Sequence, residues 1–115
     1  MNIPEISVQS LYDKMQSKDR FVILDVREIL EIEKVRLNDP RVIILPMSQI
    51  VNEGLNAIQG EVNQKSNEII IICHHGIRSA QVTGWLSMQG WTNVYSLHGG
   101  INAFAHQIDQ SIGFY

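Results

Sequence analysis

Three short, unbroken apolar runs constrain this chain more than any other feature: Phe21–Leu24, Val42–Leu45 and Ile69–Ile72. Each has the length of a strand and none alternates with polar residues, so each reads as a strand buried on both faces. Helices must then lie above and below the sheet, and the intervening segments carry helical spacing. Ser7 is placed to cap a helix with Val8, Leu11, Tyr12 and Met15 on one face. Residues 28–36 bring Ile29, Ile32 and Val35 or Arg36 into helical register. A helix from Ser79 to about Gln89 buries Val82, Trp85 and Leu86, with Gly90 at the position just past its end. After a Gly99-Gly100 turn a last helix carries Ile101, Phe104, Ala105 and Ile108. Ser48 is placed to cap a further helix or an irregular turn, and Leu55, Ile58 and Val62 line another helical face whose boundaries Gly54 and Gly60 leave open. Ile3–Ile6 reads as an edge strand limited by Pro4, and Asn93–Leu97 as the last strand. Five strands alternating with helices predict an α/β fold: a central, mainly parallel five-stranded sheet flanked by helices on both faces.

At 115 residues the expectation is one domain over 1–115, large enough to bury a core without staples, with no internal repeat or linker. The net charge is −3 and Lys and Arg are scattered, so no basic stripe points to nucleic acid. The longest apolar run, about five residues, falls far short of the roughly 20 that a membrane helix needs. The stretch Met1–Glu5 lacks the basic and apolar regions of a leader. One cysteine cannot form an internal disulfide, which fits a reducing compartment, and a cytoplasmic location is the expectation.

That cysteine, Cys73, ends the apolar run 69–72 and opens the segment Cys73-His74-His75-Gly76-Ile77-Arg78-Ser79, directly before a helix. Strand, tight loop and helix start together make an anion site: loop amides converge and the helix dipole adds positive charge, which favours a thiolate. A lone cysteine is as often a small core hydrophobe, but its place at the strand exit favours chemistry. Gly76 allows close backbone approach or positive φ, and Arg78 offers a fork of donors to an anion or a carboxylate. His74, His75 and His98 have two readings: zinc ligands together with Cys73, or residues at a pocket rim with Gly99. Zinc is disfavoured because adjacent histidines in a tight loop point apart and no CxxC pair is present. Asp25, Arg27 and Glu28 follow the second strand as either a solvated charged loop or an anchor, one acid holding Arg78 or the Cys73 loop and Arg27 forming a structural ion pair. Asp25, Cys73 and His98 lie at or just past strand ends, where parallel sheets bind ligands.

Cys73–Ser79 resembles the active loop CxxGxRS of the rhodanese family of sulfurtransferases, in particular its small single-domain members. Leu24–Glu28 is similar to its "DVRE" segment, and His98–Phe104 to its late "GGxxAW" stretch, in the same order along the chain. Two departures stand out. The Gly-His pair usual after Glu28 is replaced by Glu33-Lys34-Val35-Arg36-Leu37, and Phe104 stands for the usual tryptophan.

The resemblance implies a parallel sheet flanked by helices and a Cys73 persulfide formed from a donor such as thiosulfate. It implies that the backbone of residues 74–78 cradles the sulfur and that Arg78 binds the anionic donor or holds the loop. No cofactor is expected. The partners expected are a small anionic sulfur donor and a thiol or protein acceptor, with neither nucleic acid nor membrane, in a monomer or homodimer. Because the chain has one cysteine, the sulfur must leave to an external acceptor. Two other readings stay open: a binding module or redox sensor on the same fold, and a cysteine-dependent phosphatase. The phosphatases space cysteine and arginine one residue further apart than Cys73 and Arg78, so that the loop can wrap a phosphate.

Overall fold

The computed structural model describes residues 2–115. The strands are β1 (Glu5–Ile6), β2 (Val22–Asp25), β3 (Val42–Ile44), β4 (Ile69–Ile72) and β5 (Val94–Leu97). The α-helices are α1 (Val8–Met15), α2 (Ile29–Lys34), α3 (Met47–Glu53), α4 (Ile77–Met88) and α5 (Gly100–Gln107), and short 3-10 turns cover Gly54–Ala57, Gly60–Asn63 and Gln110–Ile112. All strand pairs are parallel, in the order β1-β5-β4-β2-β3. This is the expected α/β architecture.

Side chains alternate across a strand, so each apolar run feeds two cores. On one face Ile69, Ile71 and Cys73 pack with Val22 and Leu24 against Val82 and Leu86 of α4 and Ile50 of α3. On the other, Ile70 and Ile72 pack with Ile23 and Leu97 against Leu11 of α1 and Ile101 and Phe104 of α5. Every residue of β2 and β4 is buried, as the continuous apolar runs require. Among the described residues no helix is long and apolar enough to cross a membrane.

Local signals set most boundaries. Ser7 caps α1 by accepting from the Ser10 N–H at 3.1 Å. Gly90, with φ 104°, lies just past α4; its N–H and that of Trp91 return to the carbonyls of Ser87 and Leu86, the bond pattern of a Schellman motif.

Some expectations are corrected. The helical face of Leu55, Ile58 and Val62 does not form, because Gly54 and Gly60 take positive φ and break residues 54–63 into two 3-10 turns. Ile58 and Val62 still reach the core, whereas Leu55 is exposed. Ser48 lies inside α3 rather than capping it. Helix α4 begins at Ile77, two residues before the expected Ser79, because Gly76 serves as its N-cap. Tyr12 is exposed although it shares the spacing of Leu11.

Candidate active site

Chain order along the sheet decides where a site can form. From β2 the chain moves outward to β3, then crosses back to β4 on the other side of β2 and continues outward to β5. The direction therefore reverses between β2 and β4, and the crevice beyond their carboxyl ends is the ligand position in such sheets. Asp25 and Ile72 are register partners there, and Cys73 is the next residue.

His74, His75 and Gly76 turn the chain from β4 into α4. Gly76 takes φ 100°, and a Cβ there would come to 3.2 Å from the Gly99 nitrogen and 3.3 Å from the Leu97 oxygen. The turn aims two amides at the Cys73 sulfur: Gly76 N–H donates at 3.1 Å and Ser79 N–H at 3.3 Å. Both belong to the start of α4, whose dipole adds to them. Behind the sulfur lies a buried hydroxyl chain. The Cys73 thiol reaches Ser79 Oγ at 3.4 Å, and Ser79 Oγ lies 2.8 Å from Ser96 Oγ on β5. A hydroxyl proton rotates to suit, so Ser79 can donate when the sulfur is an anion. Cys73 is only 1% exposed. The cup expected from the sequence is thus closed over, and two amides rather than the whole backbone of residues 74–78 meet the sulfur.

The first turn of α5 holds the loop from outside. Ile101 N–H donates to the Cys73 carbonyl at 2.9 Å and Asn102 N–H to the His74 carbonyl at 3.0 Å. A Cβ on Gly100 would land on the backbone of Cys73 and His74, so the double glycine permits close approach as well as the turn.

Arg78 does not face the sulfur with a free fork. Its Nη1 and Nη2 donate to Glu31 Oε1 and Oε2 at 2.6 and 2.8 Å, a bidentate pair that ties α4 to α2. That bond holds the Glu31 carboxyl far down, from 4.5 to about 2. The same bond, with the Cys73 sulfur nearby, raises the guanidinium further above its ordinary range. Asp25 and Arg27 form the expected structural ion pair: Arg27, 0% exposed, donates from Nε to Oδ1 at 3.0 Å and from Nη2 to Oδ2 at 2.7 Å.

The acid that meets Arg78 is therefore neither Asp25 nor Glu28. Glu28 fastens α3 instead, accepting from Ser48 Oγ at 2.6 Å and Ser48 N–H at 3.2 Å. His98 also departs from its expected place at a pocket rim. Because β5 pairs with β1, the imidazole Nδ1 lies 3.0 Å from Glu5 Oε2 on that edge strand, well exposed. Gly99 does lie beside the loop, against Gly76. His75 and Ile77 are exposed on the loop, Ile77 by 72%.

His74 and His75 do not point apart; their ring centroids lie 3.8 Å apart. His74 also stacks on Tyr115 at 3.8 Å and 11°. Burial, and then the neighbouring His75, push the His74 imidazole below its ordinary range. Among the described residues no group of three or more His, Cys, Asp or Glu side chains is placed to hold a metal.

Sequence reasoning missed four residues that build this site. For Glu31 the signal was its capping-box spacing from Glu28, whose N–H donates to Glu31 Oε1 at 3.2 Å. For Ser96 it was a hydroxyl inside the apolar strand β5, and for Gly100 the doubled glycine. Tyr115 carried no signal.

A sequence model of the Rhodanese-like domain family matches residues 7–107. The chain is 34% identical over 116 residues to Rhodanese-like/PpiC domain-containing protein 12, chloroplastic, of Arabidopsis thaliana, covering 98% of this chain and 38% of that protein. It is 30% identical over 103 residues to a protein of Allochromatium vinosum named Sulfurtransferase, covering 90% of this chain and 89% of that one. It spans only half of Bacillus subtilis YrkF, 50% of its length at 35% identity. A crystal structure of a Staphylococcus saprophyticus protein superposes with a TM-score of 0.72 at 28% identity, over 91% of this chain and 96% of that one. With the motif loop at the sheet's reversal point and this match across most of its length, the chain belongs to the Rhodanese-like domain family.

Proposed function

We propose that this protein is a sulfurtransferase in which Cys73 accepts a sulfane sulfur from a small anionic donor such as thiosulfate and passes it to an external thiophilic acceptor. The observation that carries this reading is the pair of α4 amides, from Gly76 and Ser79, directed at the Cys73 sulfur. Relatives named as sulfurtransferases, the Allochromatium vinosum protein among them, support it.

The chemistry balances in two steps. The Cys73 thiolate attacks the outer sulfur of thiosulfate; the sulfur–sulfur bond breaks and its electron pair leaves with sulfite. Cyanide, or a thiol in its place, then attacks the outer sulfur of the persulfide, and the Cys73 thiolate departs with the bonding pair. The amides and the Ser79 hydroxyl stabilise the sulfur anion without reorganising, since the loop is already held by α5. Because Cys73 is only 1% exposed, a donor reaches its sulfur only after the atoms over it move. His74 to Arg78 frame that approach, with Ser79 behind the sulfur and the Arg78 guanidinium held by Glu31 at the edge. No second cysteine lies among these 115 residues, so the acceptor thiol comes from outside this domain.

One observation favours a second reading. The closure of Cys73 also suits a silent core thiol in a binding module. Intact-protein mass spectrometry after exposure to thiosulfate separates the two. A gain of about 32 Da, lost on adding cyanide and missing in Cys73→Ser, is expected for the covalent intermediate. An unchanged mass would remove the transferase reading.

A further inference from the structure

The Cys73 loop is fastened at both ends by one distant side chain. The Tyr115 hydroxyl accepts from Arg27 Nη1 at 3.1 Å and donates to Glu31 Oε2 at 3.0 Å, spanning 88 and 84 residues of sequence. Glu31 is the carboxylate that grips Arg78, at the far end of the loop. The Tyr115 ring stacks on His74, the residue directly after Cys73. The near end of the loop is therefore held through the ring and the far end through the hydroxyl. The Gly76 amide that meets the sulfur lies between those two points.

The geometry points to Tyr115 as a positioning residue of the Cys73 site, acting through Glu31 on Arg78 and through ring stacking on His74. This assignment rests on the reading of Cys73 as the sulfur acceptor. The hydroxyl is hard to replace because it answers two needs at once. It gives the buried Arg27 an acceptor besides Asp25, and it gives Glu31 a donor besides Arg78. Without it the Glu31 carboxylate keeps Arg78 and the Glu28 N–H but loses its only other donor at Oε2, and with it part of what fixes its orientation. The positive charge at the mouth of the site is then no longer held where an anionic donor enters. The ring acts separately. It covers the His74 imidazole, whose Nε2 is buried without a hydrogen-bond partner, and so resists outward movement of the loop.

The test uses the full chain in thiosulfate:cyanide transfer, with Tyr115→Phe removing only the hydroxyl and Tyr115→Leu removing the stack as well. Tyr115→Phe is expected to raise the thiosulfate KM about 3–10-fold, the range that one hydrogen bond commands, with kcat within about twofold. Tyr115→Leu is expected to lower kcat in addition. A wild-type KM in Tyr115→Phe overturns the role, as does a fall in kcat that tracks melting temperature at constant KM. Should Tyr115→Leu fail to fold, Tyr115→Phe decides alone. The guanidinium 15N–1H signals of Arg78 provide a readout independent of turnover: they are expected to shift and broaden in Tyr115→Phe, and unchanged signals overturn the role. If the wild-type protein takes up no sulfur, the reading of Cys73 fails and the Arg78 signals still judge Tyr115.

Discussion

Glu31 carries four hydrogen bonds on one carboxylate, from Arg78 twice, from Glu28 N–H and from Tyr115. All four favour the charged form, and the Arg78 bond most strongly holds its folded-state value near 2, against 4.5 unpaired. The folded-state value is depressed, so the stability it contributes is fully present above about pH 4.5 and is lost as pH falls toward about 2. Urea melts from pH 6 to 2.5 should therefore show a steep acid loss in wild type and a shallower one in Glu31→Gln; parallel slopes would remove this carboxylate from the acid transition. The same variant should raise the thiosulfate KM, since Arg78 loses its bidentate partner. Gly100 is a second single-residue test. With φ 65° and the loop backbone where its Cβ would stand, Gly100→Ala should cost about 3 kcal/mol in denaturant melts and displace the Cys73 loop. A stable, active Gly100→Ala protein would show that the loop is not clamped by α5. At this scale Cys73 and Arg78 were legible because the chain has a single cysteine and the arginine follows it at a tight spacing. Glu31 was not, because a carboxylate on a short helix looks like any solvated charge until the fold brings an arginine 47 residues away to meet it.

Elements are joined here by polar side chains at their ends. The Asp25–Arg27 pair ties the exit of β2 to α2 and, through Tyr115, to the segment after α5. Removing Arg27 leaves Asp25 buried without its partner. Arg27→Ala should therefore cost about 3–5 kcal/mol in urea melts, whereas an exposed charge such as Lys34 should cost almost nothing. Equal costs would show that the buried pair carries no special weight. Helix ends were legible where one residue type has one conformational use: Ser7 accepts at an N-cap and Gly90 takes the left-handed turn after α4. The stretch 54–63 was misread because Leu55, Ile58 and Val62 keep a helical spacing while Gly54 at its start and Gly60 within it take conformations that a helix cannot contain. Apolar spacing reports burial, and Ile58 and Val62 are indeed buried, but it does not report whether the backbone between them is continuous helix.

Across the whole molecule β4 is the pillar, with β2 and β5 on either side and a separate core on each face. Ile70 and Ile71 point into opposite cores and are both fully buried. Truncating either to alanine should cost about 2–5 kcal/mol, with losses near-additive because the sheet separates the two sites. Strong non-additivity in the double variant would mean that the two faces share one cavity or shift together. The sequence by itself determined the α/β class, the strands and the helix ends at Ser7 and Gly90, because continuous apolar runs and capping residues act locally or through simple periodicity. It also marked Cys73 and its loop. Only the tertiary structure decided the order β1-β5-β4-β2-β3, and with it the reversal point at which Cys73 lies. It alone brought Glu31 to Arg78, turned His98 toward Glu5 and carried Tyr115 back onto the loop. Those partners are selected by packing between segments far apart in sequence, and no local pattern encodes which charge or ring will face which.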